Sequence, residues 1–132
     1  MWARITVSTS AHFEFVDVTE KIKEIVRKSG VKSGICVVYI PHTTAAVTVN
    51  ENADPSVKRD ILHELSKLVP WDDDYAHIEG NSAAHILSTL IGVSLTLPVE
   101  EERLLLGRWQ GVYFCEFDGP RNREMLISVM EG

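Results

Sequence analysis

Gly34-Ile35-Cys36-Val37-Val38-Tyr39-Ile40-Pro41-His42-Thr43-Thr44-Ala45-Ala46-Val47-Thr48-Val49-Asn50 sets a β-branched apolar run, a proline stop and a polar corner ahead of a second alternating run. Up to Ile40 both alternating faces are apolar, the pattern of a central strand covered on both sides. Pro41 ends that strand, because a proline nitrogen gives nothing to a ladder. Ala45 to Asn50 resumes as a strand, and Asp54-Pro55 then supplies an N-cap followed by proline at the first helical position. Two strands and a helix start therefore frame a corner that carries one imidazole and two hydroxyls.

Working outward, Ile5 and Val7, then Phe13 and Phe15, alternate with polar neighbours and predict two opening strands, joined as a hairpin near Thr9-Ser10-Ala11. Asp17 stands three residues before Glu20, and Val18, Ile22, Ile25 and Val26 recur at helical spacing until Ser29-Gly30. A second helix from Pro55 carries Val57, Ile61, Leu62, Leu65 and Leu68 on one stripe, with His63 beside it, and ends at Pro70. After the acidic segment Trp71 to Glu79, Asn81-Ser82 caps a third helix with Ala83, Ile86, Leu87, Leu90 and Ile91 as its apolar positions before Gly92. Ser94 to Val99, Arg103 to Leu106, Trp109 to Phe117 and Glu124 to Met130 read as further strands. Strands gathered at both ends of the chain, not alternating with helices, predict an α+β fold on largely antiparallel sheet with about three helices.

The bulk numbers bound the function. The 132 residues suit one domain, 1–132, and 45% hydrophobic with 24% charged residues is globular composition. No run approaches the roughly 20 apolar residues that span a bilayer, and the first residues lack the layout of a secretory signal, so the cytoplasm is expected and no membrane partner. A net charge of −6 opposes nonspecific attraction to phosphate backbones. No nucleic acid is expected; small ligands or protein partners are. Cys36 and Cys115 lie in apolar segments, where a small buried thiol is the commoner reading, though their pairing stays open.

Four segments hold residues able to do chemistry. At Pro41-His42-Thr43-Thr44, imidazole can move protons near neutral pH or ligate a metal, and hydroxyls and turn amides can hold phosphate; the plainer reading is that they bond only the turn. In Asn50-Glu51-Asn52-Ala53-Asp54, carboxylates can bind magnesium or act as a base, but Asp54 already has an ordinary task as N-cap, which leaves Glu51 the stronger functional candidate. His85 falls opposite the centre of the third helix's apolar stripe, sharing its face with Ser82, Ser88 and Thr89, so solvent or a cleft must receive it. With His77 and His42 it can compose a three-nitrogen zinc site, although the spacing follows no zinc pattern. Finally, Gly107 and Gly111 bracket Arg108-Trp109-Gln110, where an indole can meet a flat ring or simply pack, and Arg108, Arg121 and Arg123 can grip phosphate or remain surface charges. His12 and His63 have no supporting neighbours.

Taken together, Pro41-His42-Thr43-Thr44-Ala45, Asn50-Glu51-Asn52-Ala53-Asp54-Pro55, Gly80-Asn81-Ser82-Ala83-Ala84-His85, Trp109-Gln110-Gly111, Cys115-Glu116 and Asp118-Gly119-Pro120-Arg121 resemble, in order and over nearly the whole chain, the YjbQ-like family related to thiamine phosphate synthesis by a secondary activity. The resemblance implies a β-rich sandwich with flanking helices, a homotrimer with sites near subunit contacts, and a polar site at His42, Asn50, Glu51, Asp54, His77 and His85, with Trp109, Gln110 and Glu116 nearby. Arg108, and Glu101-Glu102 in place of a glycine-containing turn, depart from the family pattern. The implied activity joins a pyrimidine methyl diphosphate to a thiazole phosphate, with a small phosphorylated substrate as partner. Within it His42, Glu51, Asp54 and His85 are the expected catalytic residues; Thr43, Thr44, Asn50, Trp109, Gln110, Glu116 and Arg121 bind ligand; and a divalent ion, zinc or magnesium, is the expected cofactor. A zinc hydrolase using His42, His77 and His85, and a noncatalytic trimeric ligand-binding module, are the alternatives.

Overall fold

A computed structural model describes residues 1–132. Along the chain run β1 (Ala3–Ser8), β2 (Glu14–Asp17), α1 (Thr19–Ser29), β3 (Ser33–Tyr39), β4 (Ala45–Glu51), α2 (Pro55–Leu68), α3 (Ser82–Ile91), β5 (Ser94–Glu100), β6 (Arg103–Leu104), β7 (Gln110–Glu116) and β8 (Asn122–Glu131). One sheet has five strands in the order β1-β8-β3-β5-β6, the other three in the order β2-β7-β4, and every pairing is antiparallel. The expected α+β class and the three helices are observed. No helix is long and apolar enough to cross a membrane.

Two local signals act where they were expected. Gly30 takes a left-handed conformation at φ 71° and closes α1. The Asp54 carboxylate accepts the Ser56 N–H at 2.9 Å, with Pro55 in the first turn of α2. At the β5–β6 turn, Glu101 and Glu102 both hold positive φ, 52° and 64°, a conformation that a two-residue hairpin demands and that side chains resist.

Three expectations change. The opening strands form no hairpin: β1 pairs with β8 in the large sheet, Ala3 opposite Ile127, whereas β2 pairs with β7 in the small one, Phe15 opposite Cys115. Alternation marked the strands, but their partners lie 96 to 124 residues away in sequence and leave no local trace. Second, β3 is central in its sheet as expected, yet only one of its faces is covered. Cys36 and Val38 enter the core, while Ile35 and Tyr39 stay 40% and 43% exposed.

The strands enclosed on both faces belong instead to the small sheet. Val47, Val112 and Phe114 face the large sheet and α1, across a core shared with Val7, Ile22, Val38 and Ile127. Ala46, Tyr113 and Cys115 face the opposite way, onto Ala83, Ala84 and Leu87 of α3 and the half-buried Ile61, Leu62 and Leu65 of α2. The layers run large sheet, small sheet, helices. Cys36 and Cys115 fall in different cores and are free thiols, and burial pushes Cys36 up to about 11, so both behave as packing groups.

The third change concerns α3. Its buried positions are Ala83, Ala84, Leu87 and Ser88, and Leu90 is left exposed. Small side chains let the helix approach β4 closely, and the Ser88 hydroxyl donates to the Ala45 carbonyl at 2.6 Å. The rotation turns Ser88 away from the polar face assigned to it, while His85 lines a cleft.

Candidate functional site

The corner after β3 is tied down by the start of β8. Arg123, nearly fully buried, donates to the Thr44 carbonyl at 3.2 Å and to the Thr44 hydroxyl oxygen at 2.9 Å, while its guanidinium grips the Glu116 carboxylate from two nitrogens. Glu116 also accepts the Thr9 hydroxyl at 2.7 Å and the Asp118 N–H at 3.1 Å. Burial alone would raise the Glu116 carboxyl, but the bonds from Arg123, Thr9 and Asp118 outweigh it and hold the group below its ordinary value. Gly119 belongs to this knot, since a Cβ there would lie 2.5 Å from the Ala11 carbonyl oxygen. Glu116 and Arg123, expected as ligand and phosphate contacts, are enclosed with their hydrogen bonds spent inside the chain; they form the floor beneath the site.

Above this floor, three clefts share His85. The largest, about 530 Å³, is lined by Thr43, Thr44, Trp71, His77, Glu79, Asn81, Asp118 and Arg121. A second, about 390 Å³, joins His85 to His42, Thr43 and Thr89, and a third, about 370 Å³, joins it to Tyr75, His77 and Ile86. The His77 and His85 rings stand edge to face with centroids 5.4 Å apart. Arg121 leans on Asp118 at 3.2 Å, and Asn81 donates to the same carboxylate oxygen, Oδ2, at 3.0 Å. Sequence reasoning treated Asn81 as a helix cap; it makes no capping bond, and its carbonyl oxygen is buried without a partner at the cleft wall. Asp118 was quoted only as part of a motif, and Thr9 only as part of a turn, because a lone Thr or Asp in a turn carries no distinguishing local signal.

His42 lies beside this group with its Nε2 accepting the Glu124 N–H at 2.9 Å. Burial, then the positive charge of Arg123, depress its basicity; Glu116 pulls the other way and does not compensate. The three histidines thus border connected clefts, but no three His, Cys, Asp or Glu side chains group as a metal-ligand set within one chain. With Nε2 of His42 given to a backbone amide, the expected three-nitrogen zinc site is not formed there.

The remaining expected residues gather elsewhere. Thr44 precedes β4 and Glu51 closes it, which at about 3.3 Å per residue puts them roughly 20 Å apart. At the far end Glu51 pairs with Gln110, Asn50 accepts the Glu51 N–H at 2.7 Å, and Asp54 is committed to Ser56. Asn52 bridges to Asp17 at 3.1 Å and fills the space a Cβ on Gly111 would need. Arg108 covers the half-exposed Trp109 ring, 4.9 Å from its centroid. One chain therefore holds two polar groups: the His85 clefts, and the Glu51 end with Asn50, Asp54, Trp109 and Gln110. A roomier cleft, about 640 Å³ between α1 and the β5–β6 turn, belongs to neither. Its rim charges pair among themselves, Lys23 with Glu20, Arg27 with Glu24 and Arg103 with Glu101.

The chain's sequence matches the family described as UPF0047 protein YjbQ-like over residues 3–132. It is 48% identical over 130 residues to the UPF0047 protein MJ1081 of Methanocaldococcus jannaschii, covering 98% of this chain and 94% of that one. To the UPF0047 protein YugU of Bacillus subtilis it is 44% identical over 131 residues, covering 98% and 99%. Among solved structures, a YjbQ/UPF0047 family protein of Clostridium acetobutylicum superposes with a TM-score of 0.95 at 48% identity, covering 97% and 99% of the two chains. A YbjQ-like protein of Sulfolobus solfataricus gives 0.96 at 35% identity, covering 100% and 97%. Matched along nearly its whole length in both sequence and fold, the chain belongs to the YjbQ-like UPF0047 family.

Proposed function

We propose that the protein is a cytoplasmic, homotrimeric enzyme acting on a small phosphorylated or cyclic molecule, with a secondary activity like that of thiamine phosphate synthases. The observation that carries this reading is the convergence on His85 of clefts bordered by Thr43, His77, Asp118 and Arg121. Neither ring nitrogen of His85 is spent on a hydrogen bond inside the chain, so the imidazole is free to carry a proton. In the synthase-like reaction the thiazole nitrogen attacks the pyrimidine methylene, the carbon–oxygen bond to diphosphate breaks, and His85 protonates the leaving oxygen while Arg121 and the Thr43 hydroxyl hold it. The residues of one chain do not group as a donor set for zinc or magnesium.

Trimer formation rests on the uncovered outer face of the large sheet. Ile35 opposes Met130 and Tyr39 opposes Leu126 across β3 and β8, and Trp2, Ile35, Tyr39 and Met130 are 40–49% exposed. A strand apolar on both faces needs a second cover, and another copy supplies it. We propose further that the Glu51 end of one subunit, roughly 20 Å from the His85 clefts of its own chain, completes the clefts of a neighbour.

The test is synthesis of thiamine phosphate from both precursors by the purified protein, compared with His85→Ala and Glu51→Ala. Each single variant should lose about 100-fold or more in rate, the scale of a positioned acid or base. Subunits of the two variants, dissociated and reassembled together, should recover part of the activity. Absence of product from the parent sinks the synthase-like activity; failure of the mixture to recover sinks the shared site. A His85→Ala protein of altered mass would point to the noncatalytic module.

A further inference from the structure

We propose that His42 takes part in the reaction as a neutral hydrogen-bond donor through Nδ1–H, directed at an anionic or carbonyl oxygen of the substrate, and that the Glu124 backbone amide is the positioning group that fixes this tautomer. The inference rests on the enzyme reading above and assigns the two cleft histidines different tasks.

A backbone N–H can only donate. Nε2 of His42, 2.9 Å from the Glu124 nitrogen, must therefore present its lone pair, and the single proton of the neutral ring sits on Nδ1. Protonating the ring would set an N–H against an N–H and break the bond. It would also add a cation beside Arg123, whose own charge is already matched by Glu116. The ring is consequently poorly placed to accept a proton at either nitrogen: Nε2 is occupied and Nδ1 is already protonated. Donation from Nδ1 is what remains. That nitrogen has no partner in the chain, and the ring borders the cleft that also holds Thr43, His85 and Thr89.

The backbone that holds the ring is itself stiff. Arg123, the residue before Glu124, is anchored to Thr44 by two hydrogen bonds and to Glu116 by its guanidinium. The ring is therefore fixed from both ends of a short circuit, Pro41–Thr44 on one side and β8 on the other. A donor held this way stabilises charge that develops on an oxygen without having to reorganise. His85, with both nitrogens free, is left as the proton carrier.

The experiment has two arms. In the first, nitrogen-15 NMR of the uniformly labelled parent at pH 7 should find His42 as the Nδ1–H tautomer, with Nε2 unprotonated, and the Nδ1–H resonance should move on titration with inorganic pyrophosphate. An Nε2–H tautomer, an imidazolium, or a resonance unmoved by pyrophosphate at saturation overturns the proposal. In the second arm, His42→Asn places an amide N–H near the position of Nδ1, whereas His42→Gln reaches only toward Nε2. As a donor, His42 is replaced within about 10-fold by Asn, and loses about 100-fold or more with Gln. Equal losses in both folded variants would instead mark a base and overturn the assignment. If the parent makes no thiamine phosphate, the enzyme reading fails for that substrate, and the NMR arm alone decides the state and ligand contact of His42.

Discussion

Arg123→Met removes the guanidinium from a carboxylate that has no solvent to fall back on. Leaving Glu116 buried and unpaired should cost about 3–5 kcal/mol of stability, and the double variant Glu116→Gln/Arg123→Met should recover much of it, as denaturant unfolding would measure. The same pair sets an acid limit. The folded-state value of Glu116 lies below its ordinary 4.5, so the fold favours the ionised form. Its contribution is present in full above that ordinary value and is lost as pH falls through the lowered one. The melting temperature of the parent should therefore decline below about pH 4.5 more steeply than that of the double variant. At this scale sequence reading singled out His42 and His85, whose chemistry is written in their side chains and which border one cleft. It missed the structural role of Arg123, because burial of a charge is a property of its surroundings: an arginine two residues after another arginine looks like surface until Glu116, seven positions earlier, is seen beneath it.

Among the elements, the β5–β6 turn is the one where the chain resists its own geometry. Glu101 and Glu102 hold left-handed backbone that Asn and Gly adopt readily. The replacement Glu101→Asn/Glu102→Gly should stabilise the protein by about 1 kcal/mol, seen as a shift of the urea midpoint with an unchanged slope; no gain would mean that neighbouring groups already compensate the turn. The departure from a glycine turn was visible in the sequence, its conformation was not. The helices divide in the same way. The start of α2 was legible because Asp54-Pro55 acts within one turn, whereas the facing of α3 was not. Hydrophobic stripes weigh Ile86 and Leu90 above Ala84 and Ser88, but close approach to β4 rewards small side chains and a hydroxyl aimed at the Ala45 carbonyl.

In the whole molecule, the apolar outer face of the large sheet separates a chain that works alone from one that does not. Tyr39→Lys, placed in the middle of that face opposite Leu126, should leave the fold intact by circular dichroism and lower the mass found by sedimentation from that of a trimer toward that of one subunit. A parent that sediments as a single subunit would remove the basis for the shared site. The fold class was legible because strands and helices segregate along the sequence. The division into two sheets was not, since β1 and β2 find partners near the opposite end of the chain.

The span between the two polar groups is set by β4, seven residues long and enclosed on both sides at Ala45, Ala46 and Val47. Such a strand works as a ruler whose divisions cannot be altered one at a time. Inserting a single residue would invert every side chain beyond it, sending Val47 toward the helices and Ala46 into the wrong core. Adding two would preserve the facing but push the ends apart by about 7 Å. Length variants should therefore be tolerated in the loops at either end and rejected within the strand, which gives the reach of this site a fixed gauge.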